Sequence, residues 1–299
     1  MPSGQDSGAF ARSMPAVFVL IWSTGFVVAR FGMPHAPPMT FLSWRYALSL
    51  ACFALWIGVA RVAWPRQPVQ WLHLALVGVL MHGGYLGGVW AAVKAGIAAG
   101  TAALIIGLQP LLTAVWLSLR APGGHGRVAL GQWAGLLLGL IGLIMVLWRK
   151  LSVGEVTPLN LGLCLLALAS ITVGTLYQKR HVAAADVRTA NFIQLSAAFL
   201  VTLPLATLER ESLDLHPQLV GAMAWSVLVL TLGGSSLLYL LIQRGAATRV
   251  TSLLYLVPPC TAVLAWLLFG EDLGAGVIAG LVFCALGVWL VVREPVSGN

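Results

Sequence analysis

Apolar residues occur along this chain in long runs that are separated by short polar segments. Each run is close to the roughly 20 residues that an α-helix needs to cross the hydrocarbon core of a bilayer. No segment between the runs offers room for a soluble domain. The pattern predicts an all-α membrane protein with ten transmembrane helices, at about residues 14–32, 38–60, 70–92, 98–119, 130–148, 158–178, 189–208, 218–242, 249–269 and 274–292.

The two halves of the chain repeat one pattern. Residues 108–115 read LQPLLTAV and residues 256–263 read LVPPCTAV, 148 positions further on. Because each half has five spans, an odd number, the second half enters the membrane from the side opposite to the first. We therefore expect two inverted five-helix repeats, residues 1–150 and 151–299, related by a pseudo-two-fold axis in the membrane plane. Duplicated halves of this kind are typical of secondary transporters, whose substrate site lies near the bilayer midplane.

Basic residues predict the orientation. With the N-terminus placed in the cytoplasm, eleven Lys and Arg residues fall on the cytoplasmic side and five on the outer side. The positive-inside rule then favours both termini in the cytoplasm. We expect a multi-pass protein of a bacterial-type inner (plasma) membrane.

Composition excludes several other classes of protein. The chain is 59% hydrophobic and 9% charged, with a mean hydropathy of +0.92, whereas about a quarter of the residues of a soluble domain are charged. Its basic residues form no patch, which argues against nucleic-acid binding. The four cysteines show no metal-ligand spacing, and no phosphate-binding loop occurs, so we expect neither a metal nor another cofactor. Motifs of membrane-embedded enzymes are absent too, so we expect no enzymatic activity.

Short motifs give the chain a resemblance to a known family. They are Trp22-Ser23-Thr24-Gly25 in the first span, Phe41-Leu42-Ser43-Trp44-Arg45 in the second, the two proline segments described above, and Phe269-Gly270-Glu271 at the end of the ninth. With two five-helix halves, these resemble the EamA-type transporters of the drug/metabolite transporter superfamily. The first half departs from the usual ending with Leu119-Arg120-Ala121-Pro122. The resemblance implies a ten-helix carrier and, by analogy with many members, export of amino acids or other small metabolites.

Arg45 is the first candidate for substrate binding. It lies about seven residues into the second span, roughly 10 Å from the helix start at 1.5 Å per residue. Charges at that depth usually face a cavity, and a guanidinium binds carboxylate or phosphate groups bidentately. The repeat aligns Arg45 with Gln194, a neutral polar counterpart. The alternative is that Arg45 snorkels to the interface as a structural clamp.

Acidic residues are missing from the middle of every predicted span. A lipophilic cation is therefore a less favoured substrate than a zwitterion, an anion or a neutral metabolite. His82, in the middle of the third span, is the candidate for proton coupling, with a hydrogen-bonded packing role as the alternative.

Aromatic and amide side chains complete the candidate site. Tyr and Trp offer an apolar face with one polar handle, which suits an amphipathic metabolite, although lipid contact is the alternative for each. Pro110 and Pro258 are candidates for gating, because a proline removes a backbone donor in mid-span. The further candidates for substrate binding are Trp22, Tyr85, Trp90, Gln109 and Tyr239.

Glycine stripes in the fifth and tenth spans predict close helix packing, either within the chain or in a homodimer. Transport could be driven by protons or by the substrate gradient alone. Import, or exchange of anionic or phosphorylated metabolites, is the alternative to export, and a membrane-embedded enzyme or a channel is a weaker alternative.

Overall fold

A computed structural model describes residues 6–120, 130–152, 154–182, 185–237 and 256–293. Every regular element in these ranges is helical, which confirms the all-α prediction. The helices are α1 (Asp6–Gly32), α2 (Pro38–Ala60), α3 (Pro68–Lys94), α4 (Ala99–Ile106), α5 (Gln109–Arg120), α6 (Leu130–Ser152), α7 (Pro158–His181), α8 (Val187–Ala206), α9 (Pro217–Ser235), α10 (Val257–Phe269) and α11 (Ala275–Arg293).

Five of these helices are long and apolar enough to cross a bilayer: α2, α3, α7, α8 and α9. Five shorter apolar stretches lie within α1, α4–α5, α6, α10 and α11. Within the described residues each predicted span overlaps helix, but these lengths do not by themselves establish ten crossings. The inverted repeat likewise stays a proposal.

Proline marks where several helices begin. Pro38, Pro68, Pro158 and Pro217 each occupy the first turn of a helix, where the missing N–H has no partner to lose. At α7, Thr157 and Asn160 form a reciprocal capping box. These signals explain why the polar-to-apolar boundaries of the sequence become helix ends.

The fourth predicted span is broken in the middle. Helix α4 ends at Ile106 and α5 begins at Gln109, directly before Pro110. The proline ring leaves the Ile106 carbonyl without its usual donor, so the helix cannot continue unchanged. At the break, a Cβ added to Gly107 would lie 2.5 Å from the side chain of Pro258, so α4 and α10 approach each other closely.

The third helix of each half contains a π-helical segment, Val79–Leu86 in α3 and Trp225–Ser235 in α9. Both segments carry a Gly-Gly pair, at residues 83–84 and 233–234. Such segments widen a helix locally and are frequent at functional sites. Glycine also allows α3 to pack tightly, since a Cβ on Gly84 would lie 2.5 Å from the Ser170 hydroxyl.

The glycine stripes bring α6 and α11 together. A Cβ on Gly142 would lie 2.5 Å from the carbonyl oxygen of Gly280, and Gly287 meets the backbone of Gly135 and Gly139 in the same way. The stripes therefore serve packing within the chain. A homodimer contact through them would have to displace this pairing.

Candidate functional site

Arg45 is buried in the centre of the bundle, with only 5% of its surface exposed. Its Nε and Nη2 atoms both donate to the hydroxyl of Thr231, over 3.2 and 3.1 Å. That hydroxyl donates in turn to the Ser226 carbonyl, at 2.8 Å. The guanidinium also lies 6.0 Å from the ring centre of Trp90, at the outer limit of a cation–π contact. Within the described residues, no carboxylate forms an ion pair with Arg45.

Tyr46 connects the same turn of α2 to the π-helical segment of α3. Its hydroxyl donates to the backbone carbonyl of His82 over 2.8 Å, and the two rings meet edge to face, 6.1 Å apart. Helix α3 therefore places His82 beside α2. The His82 imidazole also lies beside the side chain of Gln194 on α8.

Tyr85 and Trp22 form another part of the surroundings of Arg45. Tyr85 is buried, interacts electrostatically with Arg45 and lies against the Trp22 side chain of α1. Trp90 is fully enclosed and stacks on Phe41, with ring centres 4.4 Å apart. The structure thus brings together six of the residues singled out in the sequence: Arg45, Gln194, Trp22, Tyr85, Trp90 and His82.

Some buried polar side-chain atoms lack a partner, and most of them lie on the helices that carry Arg45, His82 and Thr231. Four such atoms occur among the residues that the structure describes: the hydroxyls of Ser49, Ser226 and Ser236, and Nδ1 of His82. Ser49 lies one helical turn beyond Arg45 on the same helix face. Buried groups of this kind are rare in folded proteins, and each calls for an explanation such as a ligand or water. Together with the unpaired cation, they make the centre the candidate binding site.

Gln109 has its hydrogen-bond partners outside the Arg45 cluster. As the first residue of α5, it reaches the hydroxyls of Thr113 and Thr175, both at 3.5 Å. Thr175 also contacts the sulfur of Met81 in the α3 π-helical segment, at 3.9 Å. Pro110 lies in the buried helix break and Pro258 beside Gly107. Tyr239 falls outside the described residues.

The Trp22-Ser23-Thr24-Gly25 motif joins α1 to the second half of the chain. Ser23 accepts a hydrogen bond from Thr261 of α10 at its carbonyl, over 3.3 Å. Thr24 accepts another from the indole N–H of Trp225, over 2.9 Å. The motif therefore links α1 to both α9 and α10.

Carboxylates cap helix N-termini at one end of the bundle, which we call the acid-capped end after Glu155, Glu209 and Glu271. Glu209 accepts from the backbone N–H groups of Met39 and Thr40, at 2.9 and 2.7 Å, at the start of α2. Glu271 accepts from the N–H groups at the start of α4, at 3.0 and 3.2 Å. Helix dipoles favour such anions at N-termini.

Glu155 completes this end of the bundle. It accepts from the Ala98 N–H and the Thr101 hydroxyl, at 3.2 and 2.9 Å, and pairs with Lys150 at 2.5 Å. A cavity of about 320 Å³ opens here, lined by Arg30, Gly96, Ala98, Lys150, Glu155, Glu271 and Asp272.

Sequence reasoning missed Thr231, Tyr46 and the unpartnered serines. A threonine or serine in an apolar run looks ordinary, because these residues often bond to their own helix backbone. One signal was available, the Gly-Gly pair that recurs in the third helix of each half. It marks the two π-helical segments that hold His82 and Thr231.

Known proteins similar to this chain are membrane transporters. The model of the EamA-like transporter family matches residues 13–148 and again residues 160–293. A probable amino-acid metabolite efflux pump of Salmonella typhimurium is 26% identical over 284 residues, covering 92% of each chain. An uncharacterized inner membrane transporter of Escherichia coli is 28% identical over 281 residues, covering 91% of this chain and 86% of its own. A protein of known crystal structure shares the fold, with a TM-score of 0.66 at 20% identity over 94% of this chain and 98% of the other.

Proposed function

The chain belongs to the EamA-like transporter family, and we propose that it is a secondary transporter that exports small metabolites such as amino acids by alternating access. The observation that carries the substrate class is the buried, unpaired guanidinium of Arg45 among unpartnered polar atoms. The family and the relatives are transporters, which supports a function other than catalysis. The Salmonella relative is named as a probable amino-acid metabolite efflux pump, which supports amino acids as substrates and the outward direction.

Carboxylate recognition by Arg45 follows from its surroundings. A guanidinium without an acidic partner is costly in a low-dielectric bundle, and a substrate anion relieves that cost while it is bound. Unpartnered hydroxyls of Ser49 and Ser226 can donate to the same anion. Trp22, Tyr85 and Trp90 supply apolar walls with few polar atoms, which suits the side chain of an amphipathic metabolite.

Import or exchange of anionic, including phosphorylated, metabolites is the second candidate function. It is favoured by the same cation, because Arg45 would bind a phosphate as readily as a carboxylate. Competition between the two ligand classes in one flux assay separates the two candidates.

Alternating access in this proposal uses the two halves, residues 1–150 and 151–299, as inverted five-helix repeats. The two separate matches of the family model support this division. The acid-capped end faces outward, both termini face the cytoplasm, and the break at Pro110 with its neighbour Pro258 supplies the gate. Reporter fusions after residues 150 and 299 should report opposite sides of the membrane. Both reporters on one side would end the inverted-repeat arrangement.

The substrate proposal is tested by flux into proteoliposomes that contain the full-length protein. We expect counterflow of an equimolar mixture of radiolabelled L-amino acids. Arg45→Gln should raise the half-saturating concentration at least about 30-fold, since removing one partner of a buried charge pair costs about 2–5 kcal/mol. Arg45→Lys should also weaken binding, because it keeps the charge but loses the fork.

Arg66→Gln is the matched control, because Arg66 is exposed in the loop after α2 and should leave flux unchanged. Neutral substrates should be less sensitive to Arg45→Gln than zwitterionic or acidic ones. Wild-type affinity in an Arg45→Ala protein would reduce Arg45 to a structural clamp.

A further inference from the structure

Two adjacent residues of α2 hold the two π-helical segments. Arg45 donates to Thr231 in the segment of α9, and Tyr46 donates to the His82 carbonyl in the segment of α3. One turn of α2 therefore contacts the equivalent segment of each half. If either side chain moves, one π-helical segment loses its hydrogen bond to α2.

The contacts of Arg45 and Tyr46 differ in how easily a ligand can replace the acceptor. Tyr46 donates to a backbone carbonyl at 2.8 Å, and a carboxylate gains less by replacing that acceptor than by pairing with the positive charge of Arg45. Both described hydrogen bonds of the Arg45 guanidinium converge on one neutral hydroxyl oxygen, at 3.2 and 3.1 Å. Charge-assisted bidentate bonds to a carboxylate are shorter and roughly twice as strong. A carboxylate would therefore displace Thr231 from the guanidinium.

Thr231 also belongs to the backbone that it would release. Its hydroxyl donates to the carbonyl of Ser226, five residues earlier, within the π-helical segment. While Thr231 accepts from Arg45, this hydroxyl bridges α2 and the backbone of α9. When Arg45 turns to another acceptor, that bridge is broken and only the bond within α9 remains.

We propose that Thr231 is a positioning residue that holds the Arg45 guanidinium before substrate binds. The carboxylate of the substrate then replaces the Thr231 hydroxyl as the acceptor of the Arg45 hydrogen bonds. Occupancy of the site then frees the π-helical segment of α9 from α2, while Tyr46 keeps the segment of α3 in place. This inference rests on the proposed binding of a substrate anion by Arg45. It adds the event that couples binding to the second half of the chain.

Hydrogen exchange and flux measurements on the full-length protein test whether Thr231 holds Arg45 in this way. Thr231→Val keeps the side-chain shape but removes the acceptor. We expect faster amide exchange across residues 225–235 in the ligand-free protein, with no further change when the amino-acid mixture is added. The half-saturating concentration should fall about threefold to tenfold, because Arg45 no longer has to leave an acceptor worth about one hydrogen bond.

Two variants serve as controls. Thr231→Ser restores the hydroxyl and should behave as the wild type, which separates the lost acceptor from a general packing defect. Tyr46→Phe should speed exchange across residues 79–86 and leave residues 225–235 as they are. If Thr231→Val fails to fold, Thr231→Ala carries the same comparison with Thr231→Ser.

The outcomes separate this inference from the function on which it rests. Equal half-saturating concentrations and equal amide exchange rates in Thr231→Val and Thr231→Ser would overturn the positioning role of Thr231, even if Arg45→Gln abolishes binding. Unchanged affinity in Arg45→Gln would instead overturn the proposed substrate contact, and the displacement step with it.

Discussion

Charged side chains have several strong partners at the acid-capped end of the bundle, but not in its centre. At the acid-capped end, Glu209 and Glu271 each accept from two backbone N–H groups of a helix N-terminus, and Glu155 pairs with Lys150. In the centre, Arg45 has only a threonine hydroxyl as its hydrogen-bond acceptor among the described residues. Charges that have partners stabilise the fold, whereas a buried charge without an ionic partner is costly and gains from binding an anion. The contrast supports the proposal that the substrate binds in the centre.

The acid caps also join the two halves of the chain. Glu209 and Glu271 belong to the second half, while the helices that they cap, α2 and α4, belong to the first. The end that they close is therefore held across the predicted repeat boundary. With the offset of 148 between the halves, Gly270-Glu271 aligns with Pro122-Gly123, so the first half of the sequence has no matching carboxylate at this position.

Proton coupling would make His82 the most consequential single residue of the centre after Arg45. If protons drive transport, His82→Gln should abolish concentrative flux and spare exchange, because only the first requires a titrating group. His73→Gln is the control, since His73 lies near the start of α3, well before His82, and bonds to Tyr177 at 2.8 Å. Flux is measured in proteoliposomes with and without a pH gradient. A wild-type flux that ignores the gradient removes the hypothesis.

Close packing in the centre predicts the next largest effect. A Cβ on Gly78 would overlap the backbone of Gln194, whereas one on Gly221, near the acid-capped end, would meet nothing within 4 Å. Gly78→Ala should lower the free energy of unfolding by about 1–3 kcal/mol, as overpacking does, and Gly221→Ala should be neutral or mildly stabilising. Thermal melting in detergent compares them. Equal melting temperatures would show that the centre is no more tightly packed than the end.

At the acid-capped end, Glu271→Gln should destabilise the protein by about 1–2 kcal/mol. The amide keeps one acceptor but turns an NH₂ group toward an N–H donor of α4. Glu211→Gln is the control, because Glu211 pairs with Lys94 on the surface with 62% of its side chain exposed, and such pairs contribute little. Similar melting temperatures for the two variants would argue against the capping role.

Asp186 gives the smallest effect, because it caps only its own helix, α8. The hydrogen bond from Arg188 holds the pKa of the Asp186 carboxyl below its usual value. Its stabilising contribution is thus present above the ordinary carboxyl pKa and is lost as the pH falls through the lowered one.

Asp186→Asn keeps the N-cap but removes the charge, so it should cost less than about 1 kcal/mol near neutral pH. The difference in melting temperature from the wild type should shrink as the pH falls. A difference that grows on acidification would contradict this assignment.

Much of the helical layout was predictable from local pattern. The start of α2 at Pro38 and the start of α7 at Pro158 follow from a proline at the edge of an apolar run. The break before Pro110 follows from the missing donor, although the apolar pattern alone predicted one continuous span. The depth of Arg45 along α2 was also predictable, because it depends only on distance along one helix, whereas its burial depends on the neighbouring helices.

What the sequence by itself determined is where apolar helices form and which chemical groups lie deep within them, because bilayer thickness and backbone hydrogen bonding act locally along the chain. Only the tertiary structure decided which groups meet. Thr231 stands 186 positions from Arg45 and Glu271 stands 172 from Ala99, so nothing local announces either contact. Side chains from α1, α3, α8 and α9 lie around the buried Arg45 of α2, because helix packing brings these helices together. That convergence is the reason for proposing a binding site in the centre.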